Sequence, residues 1–169
     1  MSVIRKLDSQ QVELIGRSLL VGMLLRDGLE VALPERDRGI DVIAYIDRPV
    51  GGGPFVACPI QMKSYSGAGF SIESKYQPFP NLILAHLWHV TEPTVLECYA
   101  LTYTESRDVA DQMGWTATAS WKSGAYSTTA PSRRLRSFLE PHRITPGRWL
   151  SKIYESAGIA LANDAPATQ

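Results

Sequence analysis

The residues of this chain best suited to chemistry are Asp41, Gln61 and Lys63. They fall in the stretch 39–65, GIDVIAYIDRPVGGGPFVACPIQMKSY, where two apolar, β-rich runs flank a loop of proline and glycine. That pattern reads as two strands joined by a turn. Side chains alternate along a strand, so Asp41, Ile43 and Tyr45 share one face, and Gln61 and Lys63 share a face of the second strand. If the strands pair, an acid at the start of one meets an amide and an ammonium at the end of the other. A buried carboxylate, amide and ammonium are costly unless they serve each other or bind an ion.

Several elements must position these groups. Asp8 with Gln11 forms a capping-box pattern opening a helix over 9–27, and Gly28 stands where a C-terminal stop belongs. Glu13 and Arg17 are one turn apart on its polar side, the spacing of a surface ion pair. Strands follow over 29–33, 40–46 and 55–65, with Pro59 marking a bulge or the point where pairing on one side ends. The triple glycine 51–53 reads as a hairpin loop, because no Lys-Ser/Thr and no helix follow it. A short strand over 70–73, an irregular stretch 74–80 and strands over 82–90 and 94–103 come next. The run 82–90 is almost continuously apolar, as in a strand covered on both faces. A helix over 106–113 capped by Ser106, a β-prone run 116–121 and a returning segment 124–127 precede helices over 131–140 and 147–161. No βαβ rhythm appears, so the expected fold class is α/β in the α+β sense: a mixed central β-sheet with an antiparallel meander, flanked by helices.

Composition bounds the possibilities. At 169 residues, 44% hydrophobic and 20% charged, the chain suits one compact domain, expected over 1–161, with a frayed polar tail over 162–169. Lys+Arg and Asp+Glu are both 17, so net charge says nothing about an anionic partner and only local clustering can. Cys58 and Cys98 lie inside strands and read as two buried thiols of a reducing compartment. His86 and His89 do not share a strand face and read as core or sheet-end histidines. Without a signal-peptide core or a membrane-length apolar run, the expected location is cytoplasmic, with no membrane partner.

With a glutamate on a helix, an aspartate on a strand and Gln61-Met62-Lys63 on the next strand, the chain resembles the PD-(D/E)XK nuclease superfamily, in its Gln-x-Lys variant. The match covers residues 9 to about 103 in element order, the nuclease core, followed by C-terminal helices over 131–161 of a kind such families carry. The resemblance implies a restriction-endonuclease-like fold and metal-dependent hydrolysis of DNA phosphodiesters. It also implies catalytic roles for Glu13, Asp41, Gln61 and Lys63. Two departures stand out. A neutral Gln at position 61 lowers site charge relative to an acidic motif, and Gly39-Ile40 rather than a proline introduces Asp41.

The residue chemistry agrees with that expectation. Asp41 is a hard oxygen donor suited to Mg²⁺ or Mn²⁺, and the Gln61 amide oxygen and the Met62 carbonyl are further donors for the same ion. Lys63 would orient an attacking water or steady developing charge, and Glu13 would reach in from its helix to hold a water or a second ion. Asp37 is a runner-up ligand on the loop leading to Asp41. Cations for a DNA backbone are available in Arg36 and Arg38 and in Arg133, Arg134, Arg136, Arg143, Arg148 and Lys152, with His142 beside them. A solvated helix face is the other reading of that cluster, and core packing that of Trp115, Trp121 and Tyr126. For the site itself two rival readings stand: a nuclease-fold protein that binds DNA or a protein partner without cleaving it, and a structural polar patch in which Lys63 pairs with Asp41. A homodimer is expected if both strands of a duplex are to be cut.

Overall fold

The computed structural model describes residues 7–36, 38–47 and 54–159. Residues 1–6, Asp37, 48–53 and 160–169 therefore lie outside the described residues, and with them the expectations of a hairpin loop at 51–53 and a frayed tail over 162–169.

Helix α1 (Ser9–Arg26) opens as its sequence demands: the Asp8 carboxylate accepts from Gln11 N at 2.9 Å, and the Gln11 side chain accepts from Asp8 N at 3.0 Å. Five strands form one mixed sheet in the order β1-β2-β3-β5-β6. They are β1 (Glu30–Ala32), β2 (Val42–Ile46), β3 (Val56–Ser64), β5 (Ile83–Trp88) and β6 (Glu97–Thr102). All neighbours are antiparallel except β3 and β5, which run parallel with Lys63 opposite His86. The fold is thus α+β, with a mixed five-stranded sheet flanked by helices. Pro59 lies one residue before β3 begins pairing with β5 at Ile60, so the strand is paired on one side only at the proline.

The two faces of the sheet carry separate cores. Val42, Ala44, Ile46, Ile60 and Met62 pack with Leu20 and Leu24 of α1 and with Trp149 and Ile153 of α5 (Arg148–Ser156). The opposite face carries Leu84, Trp88, Tyr99 and Leu101. It is covered by Phe70 and Ile72 of β4 (Phe70–Glu73), Val109 of α2 (Tyr103–Gln112) and Leu135 and Leu139 of α4 (Arg133–Leu139). Coverage on both sides explains why every residue of β5 is buried. Asp27, just past α1, caps α5 from outside, accepting from Gly147 N at 2.8 Å and Trp149 N at 2.9 Å. This bond ties the first helix to the last across the core.

Several elements differ from the sequence reading. Strand β4 leaves the main sheet and pairs antiparallel with β7 (Ala125–Thr128) in a second, two-stranded sheet. The β-prone run 116–121 is instead part of a 3₁₀ turn, Trp115–Ala117, and the start of a short helix α3, Ala119–Lys122, because the Thr118 hydroxyl accepts from Trp121 N and caps it. Helix α2 starts three residues before Ser106, since Thr102 and Glu105 form a second capping box. Residues 93–95 form a 3₁₀ turn that delays β6 to Glu97.

Candidate active site

Asp41 and Gln61 are brought together by the β2–β3 register. Val42 pairs with Ile60, so Asp41 just before β2 stands beside Gln61, and Asp41 N donates to Ile60 O at 3.0 Å. The Asp41 side chain is 7% exposed and Gln61 is 8% exposed, so each must be served by the other. Gln61 Nε2 donates to Asp41 Oδ2 at 2.6 Å and to the Met62 carbonyl at 3.1 Å. Met62 N also donates to Asp41 Oδ2, at 2.7 Å. On its inner side, Gln61 Oε1 accepts from the buried Tyr76 hydroxyl at 3.0 Å.

Lys63 shares the face of Gln61 but does not pair with Asp41. Its ammonium donates to Glu73 Oε1 at 2.8 Å, and Lys75 takes the other Glu73 oxygen at 2.6 Å. Burial raises the Glu73 pKa, but the hydrogen bonds from Lys63 and Lys75 outweigh it and hold the carboxyl below its ordinary value. Beneath Lys63, His86 is fully buried and stacks on Phe70 with ring centres 4.5 Å apart. Burial, with the Lys63 charge beside it, pushes the imidazole down to about 3, so it is neutral. Neither ring nitrogen has a hydrogen-bond partner among the described residues. The core-histidine reading of His86 therefore holds.

Helix α1 supplies the remaining wall. Gly16 lies against β3 so closely that a Cβ there would overlap the Ser64 hydroxyl, and this approach carries Glu13 and Arg17 to the site. Arg17 Nη2 pairs with Glu13 Oε1 at 2.8 Å and lies 4.0 Å from Asp41 Oδ1, so the guanidinium stands between the two acids. The ion pair expected from spacing forms, and Glu13 lines the same cleft as Asp41, Gln61 and Lys63. That cleft encloses about 460 Å³, and its far wall is hydroxyl-rich, with Ser71 from β4 and Ser127 and Thr128 from β7.

Among the described residues no group of three or more His, Cys, Asp or Glu side chains gathers to hold a metal ion. The donor set suits a hard cation nonetheless. Asp41 Oδ2 and the Met62 carbonyl, both hard oxygen donors, converge on the Gln61 amide nitrogen and accept its hydrogen bonds. Asp37 lies outside the described residues.

The basic cluster divides in two. Arg143 pairs with Glu97 and Glu140, Arg148 with Glu155, and Lys152 with Glu105 at 2.6 Å. Lys152 is 3% exposed, which corrects the expectation that it meets a phosphate: it is a buried strut between α5 and α2. Arg133, Arg134 and Arg136 are exposed and form no ion pair among the described residues, although Arg134 and Arg136 reach the carbonyls of Gln112 and Pro131. Arg36 and Arg38 are exposed on the loop before Asp41. Trp115 stacks on Tyr126 within the second core, as the packing reading had it. Cys58 and Cys98 are free and buried.

Glu73, Tyr76 and the bridging position of Arg17 were missed by sequence reasoning. Strand alternation over 70–73 does put Ser71 and Glu73 on one face, which was the available signal for Glu73. Tyr76 falls in the stretch read as irregular and gave none.

No family model matches the chain, and no curated protein matches it. Among solved structures it is similar to a bacterial homing endonuclease, I-Ssp6803I, with 14% sequence identity, a TM-score of 0.48, and coverage of 89% of this chain and 95% of that one.

Proposed function

We propose that this chain is a divalent-cation-dependent nuclease acting on DNA. The observation that carries the reading is the convergence of Asp41 Oδ2 and the Met62 carbonyl on one point, held by the Gln61 amide nitrogen at 2.6 and 3.1 Å, with Lys63 on the same face. A bound Mg²⁺ or Mn²⁺ would supply charge neutralisation at the scissile phosphate and an acidified water. Asp41, Met62 O and Gln61 would hold it. With a single carboxylate in that set, water and phosphate oxygens would complete the ligation, as Mg²⁺ commonly requires.

The other side chains have distinct tasks in this reading. Lys63, kept at the cleft by Glu73, meets the charge that builds on the phosphoryl oxygens. Arg17 offers a guanidinium between Glu13 and Asp41, placed to donate to a non-bridging phosphate oxygen. Glu13 steadies Arg17 and presents a carboxylate to water in the cleft. The exposed Arg133, Arg134 and Arg136, with Arg36 and Arg38, contact the DNA backbone. One such constellation cuts one strand, so cutting a duplex through calls for a second copy.

A second reading has its own support. The site gathers no triad of acids or histidines among the described residues, and Lys63 is held by Glu73, as in a protein that binds DNA without cleaving it. Crystals soaked in Mn²⁺ separate the two. The nuclease reading expects an anomalous peak bonded to Asp41 and the Met62 carbonyl. A soak that leaves the Gln61 amide in place with no peak beside it favours binding alone.

A further inference from the structure

We propose that Tyr76 is a positioning residue whose hydroxyl allows the Gln61 amide to turn over, so that Gln61 presents nitrogen to Asp41 without an ion and oxygen to a divalent cation with one. The proposal rests on the cation site described above and adds the device that makes a glutamine usable there.

The geometry poses the problem. Gln61 Nε2 faces two acceptors, Asp41 Oδ2 at 2.6 Å and Met62 O at 3.1 Å, and only an NH₂ group can face both without an ion between them. A cation in that place excludes the NH₂ group and requires the amide oxygen. Rotating the terminal amide by half a turn exchanges oxygen and nitrogen at nearly constant volume, which a close-packed site accepts. The cost falls on the inner side, where Oε1 now accepts from the Tyr76 hydroxyl at 3.0 Å and the NH₂ group would arrive instead.

Tyr76 resolves this because a phenol both donates and accepts. Its hydroxyl donates to Oε1 in the structure and accepts from the NH₂ group after the turn. A phenylalanine would leave the inner atom unpaired in either state. Of the two, an orphaned buried N–H is the worse tolerated, so the cation-bound state suffers more.

The ring that carries the hydroxyl is itself fixed. Tyr76 is 5% exposed and belongs to the one-turn 3₁₀ helix Ser74–Tyr76, which follows directly on Glu73, the partner of Lys63. A Cβ on Gly39 would come within 3.0 Å of the Tyr76 ring and 3.2 Å of its hydroxyl oxygen, and Gly39 has φ +85°. The Lys75 ammonium lies 4.9 Å above the ring. One turn therefore holds both ends of the Gln61-Met62-Lys63 triplet while packing on the loop that delivers Asp41.

The test is a titration of ¹⁵N-labelled protein with Mg²⁺, followed at the Gln61 side-chain amide and the Met62 backbone amide. Without Mg²⁺, the Gln61 NH₂ protons should show no close contact to the Tyr76 ring. With Mg²⁺, Met62 should shift and the NH₂ protons should acquire nuclear Overhauser contacts to that ring. Met62 shifting while the Gln61 contacts stay unchanged would overturn the turn-over but leave the cation site standing. No Met62 shift at saturating Mg²⁺ would overturn the cation site, and with it this proposal. Calorimetric Mg²⁺ affinity supplies the second arm. Tyr76→Phe should weaken binding on the order of 10-fold in the native background. In a Gln61→Glu background no turn is needed, because both faces of a carboxylate accept, and the same change should shift affinity by less than about 3-fold, well under that second-sphere effect. Equal losses in both backgrounds would mean that the hydroxyl acts without any turn of the amide, and would overturn the proposal.

Discussion

Lys63 Nζ lies 2.8 Å from Glu73 Oε1, so the ammonium of the Gln-x-Lys triplet is held by an acid of the small sheet and not by Asp41. The distinction matters because an ammonium bound to Asp41 would fill the place of a cation, whereas one bound to Glu73 stays beside it. On the nuclease reading proposed above, Lys63→Ala should lower DNA cleavage at least about 100-fold, the loss typical of a removed charge-stabilising donor. Glu73→Ala should lower it about 10-fold, as partners that orient a reacting group do. Single-turnover rates on plasmid DNA check both. A Glu73→Ala protein as impaired as Lys63→Ala would mean that Glu73 acts directly in the proposed reaction.

Gly16 sets how closely α1 approaches β3. A methyl at that position collides with Ser64, and overpacking of this kind costs about 1–3 kcal/mol. Gly16→Ala should therefore reduce stability by about 2 kcal/mol in urea denaturation, and it should lower activity further by moving Glu13 and Arg17 outward. The double change Gly16→Ala with Ser64→Gly should recover much of the loss. No recovery would place the strain elsewhere.

Acid should weaken the fold through His86. Burial, with Lys63 beside it, lowers the folded-state pKa to about 3 from an ordinary value of 6.5. Between those values the unfolded chain binds a proton that the native state refuses, so stability falls as pH drops, at about 1.4 kcal/mol per pH unit from this group. Glu105 adds a second, lower window. Burial raises its pKa, but Lys152 and the Thr102 N–H lower it by more, so its contribution is present above 4.5 and is lost as pH falls through the depressed value. His86→Phe, stacked on Phe70, should flatten the profile between pH 6.5 and 4.5 as measured by urea denaturation. An unchanged slope would contradict the assignment.

If the exposed arginines of α4 meet phosphates, their removal should act uniformly across DNA sequences and reduce salt dependence. Replacing Arg133, Arg134 and Arg136 together by Gln should make the slope of log K against log salt shallower by about 2–3. Replacing Arg143 and Arg148, which are tied to Glu97 and Glu155, should change it by less than about 1.

Local chemistry was legible in the sequence where the partners are close or the alternation is strict. The Asp8–Gln11 cap, the side-by-side placement of Asp41 and Gln61, and the inert positions of Cys58, Cys98 and His86 all follow from spacing. What sequence could not show depends on chain segments far apart. Glu73 reaches Lys63 because β4 pairs with β7, more than fifty residues later, and no local pattern announces that pairing. Lys152 looked like a phosphate ligand because its partner Glu105 lies 47 positions away. The run 116–121 has the β-branched threonines of a strand, but the Thr118 hydroxyl spends its hydrogen bond on a helix cap instead. Tyr76 illustrates the general limit: a residue in an apparently irregular stretch can complete the hydrogen bonding of a buried amide.

The claim that Asp41 and Gln61 form a cation site that cuts DNA is tested most directly by incubating supercoiled plasmid with purified protein, with and without 5–10 mM Mg²⁺ or Mn²⁺ (roughly the range that loads weak oxygen-donor sites), alongside Asp41→Asn. The account predicts nicked or linear DNA only with the cation, and none with Asp41→Asn despite an unchanged melting temperature. Cleavage by Asp41→Asn at the wild-type rate, or intact plasmid under every condition while the protein retains DNA on a gel, would contradict it.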